Sequence, residues 1–296
     1  MMKLTFLGTS GMVPTKDRNH SAILLSYNSE NILIDCGEGT QRQLKIAGIS
    51  PNKITKILIT HWHGDHVLGL PGLIQTLNAN DYTKTLEIYG PTGSKRFFTK
   101  MLDAFLLEGK INTIIKEVNG PFFEGKEFSL EAFPLKHDCT CNGYSFIEKD
   151  KRKINIDYTR KFGLTKNPLL GDLQKGKDII WKGKKITVNK GTYTIPGKKI
   201  SFISDTYYFD DCSVYVKDSD ILVCESTFSK EFEKKAREYK HLTSEQAAII
   251  AKKAKAKKLI LTHFSQRNKD TNDLKNEARK VFKNTECAYD FYFLEL

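Results

Sequence analysis

The chain has 296 residues, 40% hydrophobic and 28% charged, with a mean hydropathy of −0.42; that is enough for one large domain or two small ones, and no apolar run nears the roughly 18–20 residues of a membrane span. Met1 to Gly8 is too short an apolar stretch for a signal peptide, so a cytoplasmic protein is expected, with its six cysteines reduced. Against 35 Asp and Glu stand 47 Lys and Arg, a net charge of +12 that implies a polyanionic partner.

Strands are expected at Lys3–Thr9, Ser21–Ser26, Asn31–Cys36 and Lys53–Thr60, short β-branched or Leu-rich runs punctuated by Gly, Asn, Asp and Ser. Leu86–Tyr89 is another, closed by Gly90-Pro91. Thr92–Leu106 has helical apolar spacing, with Phe97, Met101, Leu102 and Phe105 on one side. Ile111–Val118, Lys126–Leu135 and Tyr144–Ile147 return to strand.

Residues 148–199 differ. They are rich in Lys and Gly, lack long apolar runs, and hold 15 Lys and Arg against 5 Asp and Glu. That +10 is nearly all of the chain's excess, which a uniform lysine bias would have spread more evenly. The segment is expected to be an insertion with its own small structure, interrupting a domain of residues 1–147 and 200–296.

Core strands resume at Ile200–Ser204 and Ile221–Cys224. Two helices follow, the second opened by a capping box in which Gln246 lies three residues after Thr243. Ala247, Ile250, Ala251 and Ala254 give that helix an apolar face, and its lysines read as a solvated one. Lys258–Thr262 is a buried strand, Leu274–Phe282 a helix, and Ala288–Leu294 a last strand. Strand-rich halves each followed by helices suggest two packed sheets with helices outside.

The decisive segment is Ile57-Leu58-Ile59-Thr60-His61-Trp62-His63-Gly64-Asp65-His66. A hydrophobic strand runs into four metal-ligating side chains within six residues. His61 and His63, two apart, point to one side of an extended strand end, and Gly64 permits a turn that brings Asp65 and His66 to a second, adjacent ion. Imidazole with carboxylate suits Zn²⁺, with Mn²⁺ or Fe²⁺ as alternatives. A rival zinc site, Cys139-Thr140-Cys141, lacks the second cysteine pair that a closed structural site needs.

The His-x-His-x-Asp-His run is identified as the signature of the metallo-β-lactamase superfamily. The resemblance implies an α/β fold, a four-layer αββα sandwich, and three further ligands at strand ends, matched by His137, Asp205 and His263. It assigns His61, His63 and His137 to one ion, and Asp65, His66 and His263 to the other, with Asp205 between them. Further segments resemble the tRNase Z family of tRNA 3′-processing endoribonucleases. Its Pro-x-Lys-x-Arg-Asn loop is matched by Pro14, Lys16, Arg18 and Asn19. Asp35-Cys36-Gly37, Gly69-Leu70-Pro71-Gly72, Cys224-Glu225-Ser226-Thr227-Phe228 and His241-Leu242-Thr243 also fit its pattern.

That resemblance implies a short-form, homodimeric, two-zinc endoribonuclease acting on precursor tRNA. It cuts 3′ of the discriminator nucleotide and leaves a 3′-hydroxyl and a 5′-phosphate. Asp65 is implied as proton acceptor, and His241, oriented by Glu225, as the acid for the leaving oxygen. Residues 148–199 then correspond to the family's protruding arm, an exosite for tRNA, although Asn167-Pro168 stands where the arm usually has Gly-Pro. Arg267 reads equally as a phosphate contact or an ordinary surface arginine, and His20 as a strand-end polar residue. Two alternatives stay open at this level: a small-molecule phosphodiesterase or other metallohydrolase of the same fold, and a non-catalytic RNA-binding module.

Overall fold

The structure is a computed structural model, and it describes residues 2–105 and 111–296. They form two compact units. The larger comprises residues 2–105 and 111–124, Leu130–Phe146 and Lys199–Leu296; the smaller comprises Gly125–Ser129 and Ile147–Lys198.

The first sheet runs, in hydrogen-bonded order, Phe293–Glu295, Met2–Gly8, Ala22–Tyr27, Glu30–Ile34, Lys56–Leu58, Thr85–Gly90 and Asn112–Glu117. The second runs Thr285–Cys287, Lys258–Thr262, Ile221–Glu225, Lys199–Ile203, Thr140–Glu148, Phe128–Lys136 and Gly120–Glu124. In each sheet four neighbouring strands are parallel, from Glu30–Ile34 to Asn112–Glu117 and from Lys199–Ile203 to Thr285–Cys287. Parallel strands are covered on both faces and so read as unbroken apolar runs; Ile221–Glu225 is buried at every residue.

Helices cover the outer faces. Leu44, Leu70, Leu73, Ile74, Leu77 and Phe98 pack on Leu24, Leu33, Ile57 and Ile88 of the first sheet. On the second, Ala247, Ala248, Ile250, Ala251, Leu274 and Ala278 pack on Leu222, Cys224, Leu259 and Leu261. The inner faces meet through pairs such as Tyr27 and Phe146, with ring centroids 5.3 Å apart, and the Tyr144 hydroxyl, which donates to the Ile59 carbonyl at 2.6 Å. This is the αββα arrangement.

Several expectations are corrected. The helices Thr40–Ile46 and Leu70–Ala79 lie in stretches for which no element was expected. Pro71 and Gly72 look like breakers, but Pro is compatible with a helix's first turn, where its missing N–H costs nothing. Gly120–Glu124 is an unexpected strand. The last strand is Phe293–Glu295 and not Ala288–Leu294, because Phe291 takes a left-handed φ of 69°. The helix expected over Thr92–Leu106 spans Ser94–Asp103, and Leu106 lies outside the described residues. Its buried aromatic is Phe98, whereas Phe97 stacks on Trp62 at 5.7 Å.

The smaller unit has a core of its own, Leu164, Leu173, Ile179 and Ile186, flanked by Phe162, Leu169 and Trp181. Lys151–Ile154 pairs with Thr192–Ile195, and Ile179–Trp181 with Lys184–Ile186. The second hairpin turns through Lys182 and Gly183, both at positive φ, as a two-residue primed turn requires. Among the described residues no helix is long and apolar enough to cross a membrane.

Candidate metal centre

Parallel strands deliver their loops to one end, and side chains just past their C-termini converge there. The first sheet supplies Asp35 after Glu30–Ile34, and His61, His63, Asp65 and His66 after Lys56–Leu58. The second supplies His137 after Phe128–Lys136, Asp205 after Lys199–Ile203, Glu225 at the end of Ile221–Glu225, and His263 after Lys258–Thr262.

Two clusters of the expected ligands result, beside a third group of Glu225, His241 and His263. In the outer one, single ligand atoms of His61, His63 and His137 lie within 4.8 Å of one another; in the inner one, those of Asp65, His66, Asp205 and His263 do. Asp205 Oδ1 lies 3.2 Å from His263 Nε2. Its Oδ2 lies 3.6 Å from His66 Nε2, 3.7 Å from His61 Nε2 and 3.9 Å from His137 Nε2. Asp65 Oδ2 approaches His66 Nε2 at 3.4 Å and His263 Nε2 at 3.5 Å.

The outward nitrogens of these rings are engaged. His66 Nδ1 donates to Asp35 at 2.7 Å, and His137 Nδ1 to the Lys240 carbonyl at 3.1 Å. His61 Nδ1 meets the Thr60 hydroxyl at 3.1 Å, and His263 Nδ1 that of Thr227 at 3.0 Å. Such partners fix ring orientation and leave the inward nitrogen as a ligand. Asp35 also accepts from the Thr60 N–H and hydroxyl, each at 2.8 Å. The backbones of Asp35 and His263 are both left-handed, with φ of 58° and 59°; strain of this kind, on the order of 1–3 kcal/mol each, tends to collect at functional sites.

The donor set fits a pair of divalent cations. His61 Nε2 is buried without a hydrogen-bond partner, an arrangement that costs free energy unless something accepts its lone pair. Burial and the neighbouring His66 hold His61 well below the ordinary imidazole range, so it stays a neutral donor. Burial alone would raise Asp205 and Asp65, but the surrounding histidines hold both carboxylates well below their usual range. Burial would lower His66, yet Asp35, Asp205 and Asp65 raise it well above normal. The same anionic field favours a metal in place of the proton at Nε2.

Beside the inner cluster, Glu225 is fully buried and accepts from the Thr206 N–H at 2.9 Å and the Thr227 hydroxyl at 2.7 Å. Its Oε1 takes His241 Nδ1 at 3.0 Å. Burial pushes His241 down, but Glu225 and Asp205 outweigh it and bring the ring to about 9. His241 lines a cleft of about 290 Å³ with Asp65, His137, Asp205, His263, Met12 and Arg267.

The loop residues divide. Pro14 and Lys16 are exposed. Arg18 donates to the carbonyls of Asn268 at 2.7 Å and Ser265 at 3.4 Å, and Asn19 donates to the Glu38 carbonyl at 2.8 Å. These two therefore shape the loops around the cleft, while exposed Arg267 lines it. His20 is buried, its Nε2 3.1 Å from the Met12 carbonyl, which ties down the cleft's edge. The Asp35-Cys36-Gly37 and Gly69-Leu70-Pro71-Gly72 segments interlock: Cys36 N–H donates to the His66 carbonyl and Gly69 N–H to that of Cys36. A Cβ on Gly69 would sit 2.1 Å from the Gly37 carbonyl oxygen, so that contact excludes any side chain.

Among the described residues, no metal-ligating cluster includes a cysteine. Cys139 Sγ lies 4.0 Å from His63 Nε2, Cys141 donates to the Asp205 carbonyl at 3.5 Å, and burial raises both thiols. Sequence reasoning gave no role to Asp35 or Thr227. The available signal was an acid directly after an apolar strand, and a threonine two residues beyond Glu225.

Residues 2–151 match the family described as Anti-Pycsar protein Apyc1. Ribonuclease Z of Bacillus cereus (strain ZK / E33L) is 40% identical over 299 residues, 98% of this chain and 97% of that protein. Human tRNase Z, short form, superposes with a TM-score of 0.71 at 29% identity, covering 99% of this chain and 98% of that one. The metallo-β-lactamase fold protein YhfI from Bacillus subtilis shares the fold, with a TM-score of 0.73 at 21% identity over 100% and 99% of the two chains.

Proposed function

This chain, whose residues 2–151 fall within the family described as Anti-Pycsar protein Apyc1, belongs to the ribonuclease Z family of tRNA 3′-processing endoribonucleases, and from that we propose how its own residues perform the hydrolysis. The enzyme cleaves precursor tRNA on the 3′ side of the discriminator nucleotide, leaving a 3′-hydroxyl on the tRNA and a 5′-phosphate on the trailer. The observation that carries the residue assignment is the convergence of seven His and Asp side chains from both sheets at one place, five of them lining one cleft.

In this reading His61, His63 and His137 hold one ion, Asp65, His66 and His263 hold a second, and Asp205 serves both. Zinc is the proposed metal, since the donors are imidazole and carboxylate without thiolate. When bound, such a pair polarises a phosphodiester and makes a nucleophile of water near neutral pH. Asp65 accepts a proton from the attacking water at its carboxylate. Glu225 fixes His241 with Nδ1–H toward Oε1, which leaves Nε2 to carry the second proton and pass it to the departing ribose 3′-oxygen. The carboxylate field around His241 favours its acid form.

The basic unit Ile147–Lys198 is proposed to bind the body of the tRNA as an exosite. Pro14, Lys16 and Arg267 are proposed to face the substrate near the cut, with Arg18 and Asn19 shaping that surface. Assembly as a homodimer in the cytoplasm, without membrane association, belongs to the same proposal.

A labelled precursor tRNA tests it. Trailer release is expected to stop on chelation and return with Zn²⁺; release that survives chelation refutes the metal assignment. In the full-length chain, Lys182, Lys184 and Lys185 changed together to Glu should weaken precursor binding and flatten its salt dependence. An unchanged affinity and salt slope would remove the exosite from the proposal.

A further inference from the structure

His241 lines a second cavity besides the metal cleft. It measures about 270 Å³, and its other walls are Tyr207, Tyr208, Glu233, Arg237 and Gln246. None of these five takes part in the hydrolysis described above. The two tyrosines follow Asp205 by two and three residues, so the loop that carries this ligand also carries them.

The walls combine flat rings with hydrogen-bonding edges. Tyr208 is pinned: its hydroxyl donates to Asp210 at 3.2 Å and accepts from Lys253 Nζ at 2.9 Å. Tyr207 is held through its N–H, which donates to the Lys136 carbonyl at 3.0 Å, and its ring packs edge-on to Phe209 at 6.4 Å. Both tyrosines are half-buried, so the rings are ordered before substrate arrives yet remain accessible. Gln246 donates to Glu233 at 3.2 Å, and Arg237 is exposed on the helix Glu233–Glu238. Fixed aromatic faces beside a guanidinium, an amide and a carboxylate match an unpaired nucleobase, which stacks on rings and is read at its edges.

The chemistry of the cut selects which base. His241 passes its proton to the 3′-oxygen of the ribose on the 5′ side of the scissile phosphate. The base on that same ribose therefore lies within one nucleotide's reach of the imidazole. We propose that the Tyr207–Tyr208–Arg237 cavity binds the base of the discriminator nucleotide by stacking, and so positions its 3′-oxygen against His241. This rests on the ribonuclease reading and names the subsite that reading leaves open. Every base has a π-face, so the pocket tolerates all four, with Arg237 grading them at the edge.

The test is a double-mutant cycle on the full-length enzyme, with protein and substrate each altered. Two precursor tRNAs are compared by kcat/KM, one intact and one with an abasic discriminator that keeps its ribose. Wild type is expected to be slower on the abasic precursor by about 10-fold, the scale of one base–aromatic stack. Tyr207→Ala should lose about as much on the intact precursor, and several-fold less on the abasic one. Tyr207→Phe, which keeps the ring, should restore the rate. Arg237→Gln, at an exposed position with little bearing on folding, should show the same pattern at smaller size. Equal losses on both precursors, or a wild type indifferent to the missing base, would overturn the inference and leave the ribonuclease reading standing. A wild type that releases no trailer from either precursor, yet hydrolyses a nitrophenyl phosphodiester, would overturn that reading and the subsite with it.

Discussion

The two ligand clusters differ in how they meet water. Asp65, His66, Asp205 and His263 are all buried, whereas in the other cluster only His61 is, and His63 and His137 are partly open to the cleft. The inner cluster contains two carboxylates, and the outer one only imidazoles. A desolvated pair of carboxylates is costly without a cation, so the inner cluster would hold an ion firmly. Histidines at the edge of a cleft would give a site more open to exchange and to substrate. On the proposed metal reading the contrast implies a division of labour: the inner cluster would anchor its ion, and the outer cluster would stand open to the phosphate.

Asp205 spoils the contrast by reaching both clusters, so its removal should do most damage. Asp205→Ala is expected to bind fewer than one ion per chain by elemental analysis, and to lose at least about 10³-fold in cleavage. Retention of two ions and near-normal turnover would show that the clusters are independent. His241→Ala comes next, because it leaves both clusters intact and removes only the acid. Both ions should remain, and precursor cleavage should fall by roughly 10²–10⁴-fold. The loss should shrink on a nitrophenyl diester, whose leaving group needs no proton; equal losses on both substrates count against the acid.

Asp35→Asn sharpens the comparison from the inner side. Among the expected ligands it directly alters only the partner of His66, and reaches His61 through the Thr60 hydroxyl, so it should weaken the inner site by about 10–100-fold in a chelator competition and the outer site by less. His137→Ala should do the reverse. If both variants weaken the same ion most, the division of labour is wrong.

The smallest effect lies outside both clusters. Burial raises Asp290 from 3.8 to about 6, against the lowering effect of bonds donated by the Asn19 N–H at 2.7 Å and the Thr9 hydroxyl at 2.8 Å. A carboxyl whose folded-state value is raised binds its proton more tightly folded than unfolded. Its stabilising contribution is therefore lost as pH climbs through about 6 and regained toward about 4. The melting temperature of wild type relative to Asp290→Asn should thus rise, by a few degrees at most, between about pH 7.5 and pH 5. A difference that is flat with pH would mean Asp290 titrates normally.

Of the seven His and Asp residues that converge, His61, His63, Asp65 and His66 were legible because they fall within six residues after an apolar strand, whereas His137, Asp205 and His263 stood out only through the family resemblance. The parallel strands were legible too, since cover on both faces leaves unbroken apolar runs. Asp35 was not legible as the orienting partner of His66, because the pairing joins residues 31 positions apart and only the folded first sheet brings them together. The helix Thr40–Ile46 has Leu44 as its one buried large apolar residue, too little for a periodic signal. Asp290 escaped notice because its carboxyl is read by Thr9, Asn19 and Gln43 from the far end of the chain. The core of the smaller unit is built from isolated residues such as Leu164 and Leu173, which composition alone scores as polar.

The same wiring has a temporal side. Met2–Gly8 finds its edge partner only in Phe293–Glu295, and the inner cluster needs His263. A chain emerging from the ribosome therefore carries three of these histidines early, yet holds no complete inner cluster until residue 263 is made. Long-range closure of this kind is slow. On the proposed metal reading, capture should accordingly be a late event, and ion supply during folding, as well as the affinity of the finished protein, would set how much enzyme becomes active.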